Sequence, residues 1–159
     1  MEPAVDPRLD VATPLTPGDA VAAIIVVDGQ YLLQLRDAKR GIFFPGVWGC
    51  FGGGVEGGEG ELDALARELR EEIGWSPAPS AVRRFTRFDF DLAFADLDPV
   101  WRVFFEIAAP GDLMRTLQLR EGAGVDLFTP DAILTGAIPL TPYDAFALWL
   151  HINRRRLRA

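Results

Sequence analysis

A single cysteine, Cys50, stands among 159 residues, so an intrachain disulfide framework is excluded. The composition fits a reducing cytoplasm. Positive charge is also scarce. Sixteen lysines and arginines face 23 aspartates and glutamates, giving a formal net charge of −7. This balance argues against a nucleic-acid backbone or an anionic membrane as partner. It also repels free phosphorylated substrates, so a phosphate site here needs metal ions to invert the local field. Long hydrophobic runs are missing: the longest early one, Ala20 to Val27, is far too short to span a membrane. No basic stretch followed by an apolar core opens the chain, so a signal peptide is not expected. Internal repeats and low-complexity segments are absent as well.

What is present is 49% apolar residues in a chain of single-domain length, enough for a proper core. Residues 1–18 carry Pro3, Pro7, Pro14 and Pro17 and read as an extended, flexible arm. The open alternative is an arm that lies on a partner subunit, as in a homodimer. Residues 19–159 read as one domain. Val21 to Val27 has the composition of a buried strand, Asp28-Gly29 is a hairpin turn signal, and Gln30 to Leu35 returns as a second strand. Trp48 to Phe51 is a short strand leading into glycines. Phe88, Phe90 and Leu92 alternate with Asp89 and Asp91, and Val100 to Ala108 follows as the other arm of a long antiparallel hairpin. Helices are expected from Pro130, ending by Gly136, and from Tyr143 to Leu157, each opened by a Thr-Pro pair. Mixed strands and helices make an α/β or α+β domain.

The chain is organised around Gly53 to Trp75. Glu61 to Ile73 has helical periodicity, with Leu62, Leu65, Ala66, Leu69 and Ile73 on one apolar face. Glu68 and Glu72 are neighbours at i,i+4, and Glu71 lies one turn from Glu68. Like charges at this spacing destabilise a bare helix, and the C-terminal end of the macrodipole disfavours anions. Such a cluster calls for a cation, and carboxylate oxygens suit hard ions such as Mg²⁺ or Mn²⁺. Glycines at 52, 53, 54, 57, 58 and 60 crowd the approach to the helix, where backbone can come close to a ligand.

The spacing is specific. Gly53, five residues, Glu59, seven residues, then Arg67-Glu68-Leu69-Arg70-Glu71-Glu72-Ile73-Gly74-Trp75 resembles the Nudix box, with all seven fixed letters matched. A chance match at a given start is on the order of one in a hundred million at ordinary residue frequencies. Trp75 is aromatic where an aliphatic residue is usual, and Phe51 stands where many members have proline. The resemblance implies the Nudix fold, a mixed β-sheet sandwiched between α-helices. It also implies metal-dependent hydrolysis of the pyrophosphate bond of a nucleoside diphosphate linked to another moiety: a nucleotide, a nucleotide sugar or a nucleoside triphosphate. Carried over by position, Glu68 and Glu72 are metal ligands, Glu71 is a ligand or the base that activates water, and Glu59 binds directly or through water. The Gly53 carbonyl is a backbone ligand, and Arg67 holds neighbouring carboxylates in place. The metal is Mg²⁺, with Mn²⁺ a substitute.

Some family members draw a further acid from a distant loop. Glu121, in a Gly-flanked loop after the sheet, is the first candidate, and Glu106 the second. His151, on the last helix away from any acidic cluster, reads as an ordinary helix residue, and Cys50 as a small core residue. Substrate subgroup stays open. The proline of ADP-ribose hydrolases, the tyrosine of dinucleoside polyphosphate hydrolases and the coenzyme A signature have no counterpart at Phe90-Asp91, at Leu92-Ala93 or within Leu33 to Gly53. Phe43, Phe44, Trp48 and Trp101 stack on a base or pack the core. Two rivals remain: a nucleotide-sensing module without turnover, and an isoprenoid diphosphate isomerase that would use Cys50.

Overall fold

Strand β1 (Ala20–Val27) is apolar at every position because both of its faces are covered. Val21, Ala23, Ile25 and Val27 point into one core, and Ala22 and Ile24 into the other. The computed structural model describes residues 14–157; residues 1–13 of the expected arm lie outside them. Asp28 and Gly29 form the tight turn, both with positive φ, and β2 (Gln30–Leu35) pairs back with Val27 opposite Gln30. Two short strands follow where one was expected, β3 (Trp48–Gly49) and β4 (Phe51–Gly54). The chain is divided at Cys50 because β3 pairs with β2 while β4 pairs with the first half of β1. One edge of β1 is thus shared: β4 takes its N-terminal half and β2 its C-terminal end.

The other edge of β1 pairs in parallel with β6 (Val100–Ala108), and β5 (Val82–Phe90) lies outside β6 as the expected antiparallel hairpin, with a register shift between Arg84 and Thr86. Strand β7 (Gly124–Phe128) closes the far side against β2. Among the described residues this is one mixed sheet of seven strands.

Helix α1 (Glu61–Ile73) has the expected bounds and ends at Gly74 in the left-handed conformation. Its inner face is Ala64, Leu65, Leu69 and Ile73, packed against Val21, Ile25, Val103 and Ile107. Leu62 was expected on that face but is 59% exposed. The first turn meets the sheet through Glu61, which pairs with Arg84 of β5 at 3.5 Å, and Leu62 is left at the surface. A single turn, α2 (Leu113–Thr116), lies on the same side. On the opposite face sit α3 (Pro130–Leu134), capped by the Thr129 hydroxyl, and α4 (Pro142–Asn153), four residues shorter at its end than expected. Ala147 and Leu148 carry α4 onto Ile24, Leu33 and Phe104, whereas Phe146 and Trp149 stack on each other at the surface. The layers are therefore helix, sheet, helix. No helix among the described residues is long and apolar enough to cross a membrane.

Candidate active site

The last two turns of α1 put Glu72 on the buried side and Glu68 over strand β4. Glu72 is 5% exposed, between the apolar positions 69 and 73 of its helix. The Gly52 amide donates to its Oε2 at 2.9 Å, and Gln34 Nε2 donates to its Oε1 at 3.2 Å. Gln34 also donates to the Cys50 carbonyl, tying the β3–β4 junction to the helix. Glu68 lies directly on Gly53. A Cβ built there would come 2.5 Å from the Glu68 carboxylate carbon, so any side chain at this position would push the acid off the strand.

Arg67 is the hub of the exposed side. Its Nε and Nη2 donate to the two oxygens of Glu59 at 2.8 and 3.0 Å, a bidentate pair. Nη1 donates to Glu68 at 2.8 Å and Glu71 at 3.3 Å, and Nη2 also reaches the Gly54 carbonyl at 2.9 Å. One guanidinium thus holds three box carboxylates and the glycine loop.

The electrostatics follow from depth. The Arg67 hydrogen bonds hold Glu59 below the usual carboxylate range. Glu68 is raised, because burial outweighs the help of Arg67, and Glu71 and Glu121 add repulsion. Glu72 is pushed up to about 8, by burial first and then by the charges of Glu68 and Glu121, against the pull of the Gly52 amide and Gln34. A buried cluster of acids that repel one another is the environment in which a cation is stabilised.

Glu121 belongs to this field although it lies 49 positions past Glu72 in the chain. Its loop is stitched to the C-terminus of α1: the amides of Gln118 and Arg120 donate to the carbonyls of Ile73 and Glu72 at 3.0 and 2.7 Å, and Arg120 Nη1 reaches the Arg70 carbonyl. These are the orphan carbonyls of a helix end. Glu106 is elsewhere. It lies on the α4 side of the sheet, where its Oε2 meets His151 Nε2 at 2.7 Å. His151 therefore has an acidic partner that its helix alone does not reveal, and its Nδ1 faces the Tyr31 hydroxyl at 2.9 Å. Burial lowers its pKa. Cys50 is 2% exposed, and burial raises its thiol well above the ordinary value.

Among the described residues, no three carboxylate, imidazole or thiol side chains are gathered into a ready-made metal cluster. The Arg67 fork draws oxygens of Glu59, Glu68 and Glu71 toward itself instead. The donor set nevertheless fits a hard divalent ion. Glu68, Glu71 and Glu72 are oxygen donors on one helix end, Glu68 lies against Gly53 and Glu72 against the Gly52 amide, and these two are held under repulsion and desolvation.

A cavity of about 480 Å³ opens beside Gly52, Gly53 and Gly54. Phe43, Phe44, Trp101 and Tyr143 contribute aromatic walls, and Arg36 and Arg102 positive charge. Trp48 is not among them; it packs edge-on against Phe128. Arg102 is the group that the pattern of β6 conceals. It donates through Nη2 to Asp144 Oδ1 at 3.2 Å and lies over the Tyr143 ring at 4.4 Å. Asp144 is 2% exposed and also accepts from the Cys50 amide and the Thr141 hydroxyl. The one signal in the sequence is a lone cation in a strand otherwise rich in aromatic and branched residues.

Comparison with known proteins agrees with this architecture. The NUDIX domain family model matches residues 16–147, so the chain belongs to the Nudix family. The nucleoside triphosphatase NudI of Escherichia fergusonii is 54% identical over 54 residues, which are 34% of this chain and 38% of that relative. The match thus spans well under half the length of such curated relatives. The solution structure of the E. coli ORF135 protein is 28% identical, covers 88% of this chain and 91% of its own, and superposes with a TM-score of 0.67. MutT from Aliivibrio salmonicida and Vibrio cholerae, at 24% identity with 86% and 97% of the chains covered and a TM-score of 0.66, shares the fold.

Proposed function

We propose that this chain is a divalent-metal-dependent pyrophosphohydrolase that cleaves the phosphoanhydride of a nucleotide, with nucleoside triphosphates as the first substrates to test. The observation that carries the reading is one juxtaposition. Glu59, in the loop before α1, and Glu68 and Glu71 on its last turns are gathered by Arg67, Glu68 and Glu72 lie on the glycine strand, and that strand also borders a nucleoside-sized cavity. The partial match to nucleoside triphosphatases supports the choice of substrate.

Glu68, Glu72 and the Gly53 carbonyl would hold Mg²⁺ or Mn²⁺, with Glu71 and Glu59 nearby. Such ions neutralise phosphate oxygens and lower the pKa of bound water. The chain's own residues do the rest. Arg67 orients the acids. Gln34 and the Gly52 amide fix Glu72. Glu121, on the loop stitched to the C-terminus of α1, accepts the proton of the attacking water. A sensing module without turnover would have little use for the complete set of acids. An isomerase would need a thiol that gives up a proton, and the Cys50 thiol is sealed in the core.

The test is a panel of nucleoside triphosphates with Mg²⁺, scored for released pyrophosphate. Glu68→Gln keeps the shape and is expected to lower kcat by about 10² or more, by analogy with losing one electrostatic stabiliser. Full turnover in excess chelator overturns the reading.

A further inference from the structure

Among the described residues, Arg102 Nε is the one buried side-chain donor without a hydrogen-bond partner. Such groups are rare and call for an explanation. The side chain is 13% exposed and lines the cavity beside the glycine strand. Only its Nη2 is engaged by Asp144. The rest of the corner is chemically one-sided. Both Asp144 oxygens are occupied, Oδ1 by Arg102 and Oδ2 by the Cys50 amide and the Thr141 hydroxyl. Asp144 is itself 2% exposed and so is closed to a ligand, whereas the guanidinium borders the cavity. Arg102 also lies over Tyr143, and Phe44 packs edge-on against that same ring, so the donor sits in an aromatic wall suited to a flat ligand. Arg36 Nε fixes the neighbouring Phe43 carbonyl at 2.9 Å, which anchors the loop that closes the wall.

We propose that Arg102 reads the base of the nucleotide, favouring bases that present a carbonyl oxygen (guanine, cytosine, uracil or thymine) over adenine. This rests on the hydrolase reading above and names the base that the same site selects. Arginine offers only donors. A carbonyl oxygen accepts from it, as the guanine edge accepts from arginine in base recognition generally. Adenine has no carbonyl, and its exocyclic amine sets a donor against a donor. Asp144 acts by holding the guanidinium, and Tyr143 by stacking.

Two measurements test this. The first compares kcat/KM for GTP, CTP, UTP and ATP with Mg²⁺, in the native chain, Arg102→Lys and Arg102→Met. The native chain is expected to favour the best carbonyl-bearing base over ATP by about tenfold or more. Lysine keeps the ion pair with Asp144 but not the planar fork, so the preference should shrink in both variants, chiefly through KM. The second follows quenching of tryptophan fluorescence, which Trp101 in the cavity wall makes sensitive to GMP, CMP, UMP and AMP without any turnover. Arg102→Lys, which retains a cation beside Asp144, serves if Arg102→Met does not fold. Turnover of all four triphosphates at equal kcat/KM overturns the inference and leaves the hydrolase reading standing. Turnover of none overturns the hydrolase reading; equal or absent quenching by the monophosphates then overturns the inference too. A preference that survives in Arg102→Lys unchanged also refutes it.

Discussion

Glu72→Gln offers a direct measure of the strain stored at the site. The native carboxyl is pushed up to about 8 from an ordinary 4.5. The difference, about 3.5 units at 1.36 kcal/mol each, corresponds to about 5 kcal/mol as an upper bound. That is large against a total stability of about 5–15 kcal/mol. The sign is fixed by the direction of the shift. A pKa raised on folding means that the folded chain binds the proton more tightly than the unfolded one. The stability it contributes is complete below pH 4.5 and is lost as pH rises toward 8. The metal-free native chain should therefore weaken across this window.

Glutamine cannot ionise, so the variant should lose that decline. It can still accept from the Gly52 amide, but its own amide faces the Gln34 amide, and losing that bond costs about 1 kcal/mol. Urea unfolding in excess chelator at pH 5, 7 and 9 reads the difference. At pH 5 the variant should be less stable by about 1 kcal/mol. At pH 9 it should be more stable by about 2–4 kcal/mol. Mg²⁺ at pH 9 should then stabilise the native chain by mass action, and the variant far less. Parallel pH profiles of the two proteins in chelator would refute the reasoning, because Glu72 would then be ionised at no cost.

Two further substitutions probe the neighbours. Gly53→Ala puts a methyl 2.5 Å from the Glu68 carboxylate carbon; turnover should fall by about 10² or more, in line with losing a positioned electrostatic group, and the Mg²⁺-induced rise in melting temperature should shrink, whereas native turnover would show that Glu68 need not rest on this strand. Glu121→Gln should keep the melting point, because a surface glutamate changes stability by no more than about 0.5 kcal/mol, yet cut kcat and move the acid limb of the pH–rate profile. If Glu106→Gln does so instead, the acid paired with His151 takes the role.

The box helix was legible from local chemistry alone. Its period, its acidic end and Gly74 all act within a few residues, and the bounds Glu61–Ile73 follow. The hairpin at Asp28-Gly29 and the alternation around Phe88 are local in the same way. Leu62 shows the limit. Its helical phase is right, but the contact of the first turn with a distant strand is made by Glu61, which reaches Arg84, and Leu62 stays exposed. Phe146 and Trp149 show it again, since an apolar helix does not announce which side packs. The larger omissions are pairings between distant segments. Arg102 and Asp144 are 42 positions apart, and Glu106 and His151 are 45 apart. Each depends on the register of β6 against β1 and on where α4 crosses it. Neither is written in a window of sequence.

Arg67 shows why the motif needs a cation of its own. Three of the acids it holds are the groups that the family resemblance assigns to metal. Without a counter-charge they would repel one another, and the dipole at the C-terminal end of α1 also opposes Glu68 and Glu71. Arg67 relieves this for Glu59, Glu68 and Glu71, to each of which it donates. It does not reach Glu72, which turns inward and meets only the neutral donors Gly52 and Gln34. The inner acid is therefore the one left at about 8, while Glu59 is held low. Near neutral pH Glu59 is kept ionised by Arg67, whereas the inner acid Glu72 holds its proton. A divalent ion that binds the inner acid must release that proton, so metal affinity should rise with pH up to about 8. Titrating Mg²⁺ affinity at pH 6, 7 and 8 reads this directly; an affinity independent of pH would mean that Glu72 takes no part in holding the ion.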